Sequence, residues 1–291
     1  MNNSVSAVAI EIDDFIEDKL SSREDRINRR ASRLKLLRWC SLIGVFVIWQ
    51  LFGMLNKKYA FFNPVFLPSP TDVLKVGYSM IQDGTLLKHI FASFIRIVLG
   101  FGIGTIVAVI LGILITRSEV LEHIIDPVLS LIGPIPPFAF LPLFIIWFGV
   151  GEFPKITLIA YATFLPILTY TIDGLKSINP VLIRSALSLG ASEFRVFTKV
   201  ILKSALPNIF VGMRVSLALT FSALVVAEMM GADKGLGYII VDARNWFKTD
   251  NMFLAAALIG IEYSIFDFAL RLICKYLFKW KKGGMKDAVE N

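Results

Sequence analysis

Charge is scarce in this chain. Asp, Glu, Lys and Arg together make up 18% of its 291 residues, too little for a soluble protein of this length to clothe its surface. Histidine and cysteine number two each. His89 and His123 have no second ligand at metal spacing, so a zinc centre is not expected and both read as ordinary interfacial histidines. Cys40 and Cys274 read as thiols rather than a disulfide framework. No G-x-x-x-x-G-K-[ST] cradle for phosphates is present, so the chain is not expected to be a nucleotide-hydrolysing subunit. Neither G-x-S-x-G nor H-E-x-x-H occurs, which argues against an intramembrane hydrolase.

Apolar residues fill the space: 56% of the chain is hydrophobic and the mean hydropathy is +0.69. Uninterrupted apolar runs recur near the ~20 residues that a membrane-crossing helix needs. The expected class is all-α and polytopic, with about six spans near 39–55, 93–116, 124–148, 154–174, 207–230 and 252–278. Lys and Arg gather in the N-terminal stretch, at Arg117, between 176 and 203, and at the C-terminal end. The rule that positive loops stay inside then places both termini in the cytosol. Trp49 and Trp147 fall at outer helix ends, Trp39 and Trp280 at inner ends. The expected domains are a cytosolic tail over 1–38, a transmembrane domain over 39–278 and a second cytosolic tail over 279–291. The first 35 residues mix acids and bases without the short apolar core of a signal peptide. They read as a solvated tail, or as one with an interfacial helix around "IEIDDFIEDKL".

Two breaks in the apolar pattern carry information. Gly100, Gly104, Ala108 and Gly112 place a small residue on one helix face at every fourth position, letting a second helix approach closely. That neighbour belongs either to the same chain or to a second copy. In "GPIPPFAFLP" Pro134, Pro136, Pro137 and Pro142 interrupt the third span, because each lacks an amide donor and crowds the preceding turn. Freed carbonyls at membrane depth need protein or water around them. The break therefore lines a pathway, or is a plain kink.

Between the fourth and fifth spans lies "INPVLIRSALSLGASEFRVFTKVILKSALPNI", too polar to cross a bilayer. Asn179 suits a helix cap and Pro180 the first helical position. Leu182, Ala186 and Leu189 give an apolar stripe. Gly190 is placed to end the helix in a left-handed conformation. Ser192 is placed to cap a second helix, with Glu193 in its first turn and Phe194, Phe197 and Ile201 on one face. Pro207 marks the start of the next span. Two short amphipathic helices bent at a glycine suit a groove on a partner.

"SALSLGAS…ILKSALPNI" resembles the cytoplasmic loop of ATP-binding-cassette importer permeases, in which E-A-A is followed by glycine and then I-x-L-P; the matching positions are Ala186, Gly190, Leu206 and Pro207. Arg184 and Ser185 stand where that family has glutamate and alanine. The likeness continues through "FLPSPTDVL", "HIFASFIRIVLGFGIG", "PIPPFAFLPLFIIWFGVGE" and "GMRVSLALTFSALVVAEMMGADKGLGYII". It is strongest to the nitrate, sulfonate, taurine and bicarbonate branch, taurine and alkanesulfonate permeases above all.

The resemblance implies a type I importer transmembrane domain in the bacterial inner membrane. Two ATPase subunits would dock on loop 178–206 through Arg184, Ser185, Ala186, Leu189, Gly190, Ala191, Ser192, Phe194, Phe197, Leu206 and Pro207. A second permease copy would complete the pathway, and an extracytoplasmic binding protein would deliver the solute. This chain would hold no cofactor; ATP and magnesium would sit on the partner ATPase. The implied substrate is taurine or another sulfonate, with nitrate, bicarbonate or a vitamin precursor as alternatives. A stand-alone secondary transporter would leave the cytosolic helix pair unexplained, and nucleic acid is not an expected partner.

Ionisable groups at membrane depth are costly and face a bundle interior or cavity. Pathway or gate candidates are Pro134, Pro136, Pro137, Arg214, Glu228 and Glu262. Asp267 is expected to neutralise Arg271, Arg214 or both, since Asp267 and Arg271 have i, i+4 spacing. Glu262 has no sequence-local partner. Glu228 matches the family pattern E-x-x-G…G-x-G with Gly231, Gly235 and Gly237, implying an outer-gate or turn-stabilising role. Residues 231–251 are expected to form an external loop with a short re-entrant or surface helix, either a contact for the binding protein or a plain connection.

Overall fold

The computed structural model describes residues 37, 40, 41 and 43–278. The predicted tails, apart from Leu37, and the start of the first predicted span lie outside these residues. Every regular element among them is helical. The chain divides into two compact units, Met1–Asp72 and Val73–Asn291.

In the first unit, helix α1 covers 43–59 and carries Ile43, Phe46, Ile48, Leu51 and Phe52 in exposed positions. It stops at Ala60, whose φ of 50° leaves the helical region. The chain then folds back on α1: Asn56 Oδ1 accepts from the Phe62 amide at 3.1 Å and Trp49 Nε1 donates to the Pro68 carbonyl at 3.0 Å. Gly53 permits this approach, because a Cβ there would lie 3.0 Å from the Ser69 Cα. Helix α2, Pro70–Gln82, starts here from Ser69, and its residues from Val73 onward belong to the second unit. Asp72 reaches back to accept the Ser69 amide at 3.0 Å, one half of a capping box, and also receives Lys57 Nζ at 2.7 Å.

In the second unit the long helices are α3, Thr85–Arg117; α6, Glu152–Lys176; α9, Leu202–Met229; and α11, Thr249–Leu277. These helices, α9 together with the helical residues just before it, are long and apolar enough to cross a membrane. One further pair of helices is long and apolar enough only when taken together: α4, Glu119–Ile132, meets a 3₁₀ turn at Pro137–Phe140 and α5, Leu141–Phe148, with a 91° bend between them. Pro134, Pro136 and Pro137 lie at that bend, as their missing amides require. The first predicted span corresponds to α1.

Helices α3, α6 and α9 form the core. Ile97, Phe101, Ile159, Leu217, Phe221 and Leu224 pack together in one cluster, and Ala108, Ile115, Ile167, Leu168 and Ile172 in another. The small-residue row on α3 meets α6 of the same chain. A Cβ on Gly100 would strike Ile159, one on Gly104 would strike the Ala160 carbonyl, and one on Gly112 would lie 2.7 Å from Thr171 Cγ2. Close backbone approach yields the dispersion contact that holds helices together in lipid. Thr163 and Thr220, both fully buried, add a 2.8 Å hydroxyl contact between α6 and α9. The outer faces stay greasy: Ile106 and Ile110 on α3 and Ile261, Ile265 and Phe268 on α11 are exposed, as a lipid-facing surface should be.

Candidate functional site

The helix pair between α6 and α9 forms as its sequence dictates, with two differences. Helix α7 is Pro180–Ser188, and Asn179 Oδ1 accepts from the Val181 amide at 2.9 Å. Gly190 has φ +81°, and its amide returns to the Leu187 carbonyl. After it α8, Glu193–Val196, passes through a π turn at Phe197–Ile201 straight into α9. The second short helix is therefore the leading end of the long helix that contains α9, not a separate element. Pro207 lies inside α9, where it removes a single intrahelical bond. Ser192 stands at the N-cap position without a side-chain cap bond; its carbonyl accepts from Val196 instead.

The apolar faces of this pair also differ from the expected ones. Ile183 and Leu187, rather than Leu182 and Leu189, turn toward the bundle and line a cleft of about 360 Å³ with Val196, Phe197 and Ile201. Arg117, at the end of α3, lies over the Phe197 ring at 4.0 Å. Leu182 is exposed, and Leu189 and Phe194 are 88% and 74% exposed. Arg184, Ser185, Gly190 and Ser192 are exposed as well, whereas Ala186, Ala191, Leu206 and Pro207 are partly covered. One side of the pair is seated and the other presents large apolar groups to the outside.

A buried ion network occupies the other end of the bundle. Arg96, only 3% exposed, projects from α3 between α6 and α9. Its Nε and Nη2 donate to Glu152 Oε2 and Oε1 at 2.6 and 2.7 Å. Its Nη1 donates to Glu228 Oε1 at 2.7 Å and to the Lys234 carbonyl at 2.6 Å. Ser93 Oγ donates to Glu228 at 2.8 Å, and Lys155 Nζ donates to Glu152 at 3.1 Å.

These side chains anchor α10, Leu236–Asn245, by its first amides. Gly235 N donates to His89 Nδ1 at 3.1 Å, Leu236 N to Ser93 Oγ at 2.9 Å, and Gly237 N to Glu228 Oε2 at 2.8 Å. A helix N-terminus has amides without intrahelical partners, and a carboxylate there also meets the positive end of the helix dipole. The spacing G-x-G follows from contact. Gly235 has φ +132° and leaves no room for a Cβ beside the Glu228 carboxylate, while a Cβ on Gly237 would sit 2.8 Å from the Val225 carbonyl. Helix α10 packs inward through Leu236, Ile239 and Ala243, so it is an integral helix rather than a surface one. At its end Trp246 and Phe247 are exposed.

The remaining membrane charges sort simply. Asp267 receives Arg214 Nε at 2.9 Å and Arg271 Nη2, so it ties α9 to α11 and pairs with both arginines. Glu262 is 6% exposed and neither of its oxygens has a hydrogen-bond partner among the described residues. Pro134 and Pro136 are exposed and Pro137 half-buried at the bend. Arg96, Glu152, Ser93, Lys155 and His89 were not anticipated as members of a site. A signal was available: His89, Ser93 and Arg96 share one α3 face at i, i+4, i+7, and an arginine inside an apolar span needs a partner.

Such an assembly is a multi-pass helical bundle with an exposed helix hairpin at one end and an ion-locked helix at the other. Residues 86–283 match the family described as binding-protein-dependent transport system inner membrane component, and the chain belongs to that family. It is similar to the taurine transport system permease protein TauC of Escherichia coli (strain K12), with 36% identity over 271 residues, 91% of this chain and 97% of that one. It is also similar to the putative aliphatic sulfonates transport permease protein SsuC of Bacillus subtilis (strain 168), with 35% identity over 81% of this chain and 84% of that one. In fold it matches a chain of the MetNI methionine ABC transporter, solved in inward-facing conformations, with a TM-score of 0.60 at 18% identity, covering 69% of this chain and 99% of that chain. The chain is thus the permease subunit of an ABC importer, a class that works with an ATPase and a substrate-binding protein. It is a multi-pass protein of the inner membrane.

Proposed function

We propose that this permease moves a small sulfonate, taurine first among them, into the cytosol by alternating access, with both chain termini on the cytosolic side. The observation that carries the mechanism is the seated but half-exposed helix pair at 178–206. Leu189 and Phe194 offer apolar side chains outward, while the segment behind them continues as the helix that becomes α9. An ATPase gripping those groups would pull on a core helix directly. Two ATPase subunits bind ATP and magnesium and close on each other. Their movement passes through this loop in each of two identical permease copies, and the broken span at Pro134, Pro136 and Pro137 lets the bundle open outward. Hydrolysis then resets it inward. The departure at Arg184 leaves the docking to the apolar groups rather than to a carboxylate.

The substrate class is supported by the identity to permeases named for taurine and aliphatic sulfonates. Reconstitution in liposomes with the cognate ATPase and binding protein tests it: taurine or an alkanesulfonate stimulates ATP hydrolysis, and nitrate or bicarbonate does not. Stimulation by nitrate or bicarbonate alone would overturn the substrate. Solute uptake by the permease without the ATPase would overturn the mechanism.

A further inference from the structure

The geometry points to an oxyanion-binding site at the start of α6, in which Glu152 is a displaceable stand-in for a sulfonate. Arg96 and Lys155 direct buried cationic heads toward the same spot, their side chains 4% and 5% exposed, whereas the Glu152 side chain between them is 52% exposed. The two Glu152 oxygens take two parallel Arg96 N–H bonds at 2.6 and 2.7 Å and the Lys155 ammonium at 3.1 Å. Such a planar fork is the arrangement that recognises carboxylates and tetrahedral oxyanions alike.

Glu152 and Glu228 share Arg96 but differ in how firmly they are held. Glu228 has a fully buried side chain and also accepts Ser93 and Gly237. Among the described residues Glu152 has only Arg96 and Lys155, and its half-exposed pairing is weakened by solvent. Glu152 is therefore the anion that exchanges. A sulfonate carries the same single negative charge, so the swap leaves the buried cations neutralised and avoids the large cost of an unpaired charge. It also brings a third oxygen to Lys155, whose ammonium has three donors and makes one hydrogen bond to the described residues. The first turn of α6, capped by Gly151 without a side-chain bond, adds a favourable dipole. Val150 and Phe153, two and one positions from Glu152 in sequence and both exposed, suit a short alkyl chain. The oxyanion class follows from these contacts; its identity as a sulfonate rests on the reading given under Proposed function.

Calorimetry on the complex of full-length permease and ATPase, with ethanesulfonate as probe and ethylammonium as control, tests the site without the binding protein. Glu152→Gln is expected to bind ethanesulfonate at least about tenfold more tightly than the wild type, and adding Lys155→Gln is expected to abolish the gain. Unchanged affinity in Glu152→Gln, or a gain that survives Lys155→Gln, overturns the site. Should the variants fail to fold, the wild-type complex decides: ethanesulfonate raises its Tm and ethylammonium does not, while an equal response to both overturns the site. A wild-type importer that no sulfonate stimulates, together with a Glu152→Gln complex that binds ethanesulfonate, would remove the sulfonate substrate and leave the anion site standing.

Discussion

Replacing Arg96 by alanine strips three groups of a partner at once, and their burial ranks the consequences. Glu152, half exposed, loses two charge-assisted bonds that water replaces, a change worth about 0–1 kcal/mol. The Lys234 carbonyl loses its donor, about 1 kcal/mol. Glu228 matters most: its side chain is 0% exposed, so removing the guanidinium leaves a buried charge held only by Ser93 and the Gly237 amide. Breaking such a buried pair costs about 3–5 kcal/mol. Glu228→Gln is the informative contrast. Its carbonyl still accepts from Ser93 and Gly237, and Arg96 keeps Glu152, so about 1–3 kcal/mol is expected. Equilibrium unfolding in detergent, followed by circular dichroism, measures both variants. Arg96→Ala should be the less stable by at least about 1 kcal/mol. Equal losses, or a greater loss in Glu228→Gln, would refute the assignment of Arg96 as the hub. Amide exchange gives a second readout: in Glu228→Gln it should accelerate at Gly235–Gly237, the start of α10, before it does so in α9 or α11.

Three further outcomes follow from the same geometry. Gly104→Ala should cost about 1–3 kcal/mol, because its Cβ would lie 2.8 Å from Thr163 Cβ and closer still to the Ala160 carbonyl; Gly102→Ala, which meets nothing, should stay within about 0.5 kcal/mol of the wild type. Asp267→Asn should destabilise by about 1–3 kcal/mol, more than Arg271→Gln at about 0–1 kcal/mol, since one carboxylate 8% exposed serves two half-exposed arginines; thermal melts compare them. Burial alone would push the Asp72 carboxyl up, but the hydrogen bonds from Lys57 and Ser69 outweigh it and hold the group down to about 2. A depressed carboxylate stabilises the fold above its unfolded pKa and loses that contribution as pH falls through the folded one. Asp72→Asn should therefore lower Tm at neutral pH, with the difference from wild type shrinking below about pH 4 and closing only below about pH 2.

Much of the architecture was legible before any coordinates. Apolar run length located the long helices, since a bilayer imposes its thickness on the sequence, and the predicted spans differ from the observed helices mainly at their ends. The prolines at 134, 136 and 137 announced the bend, because a missing donor acts locally. Gly190 announced the turn for the same kind of reason. Asp267 was anticipated as a partner because i, i+4 spacing is a property of one helix. The faces of α7 were not legible: its short helix offers Leu182 and Leu189 on one side and Ile183 and Leu187 on another, and both satisfy an apolar pattern. Only the position of α7 beside the ends of α3 and α6 decides that Ile183 and Leu187 line the cleft.

By itself, then, the sequence determined where the chain is helical, where it must break and which segment is too polar to stay in lipid. All of these depend on neighbours within a few turns. Tertiary structure alone decided that Arg96 stands between Glu152 and Glu228, and that residues more than a hundred positions away, His89 and Ser93, supply the missing partners of α10. Those contacts come from the packing together of α3, α6 and α9, and local spacing leaves no record of which charges that packing will place side by side.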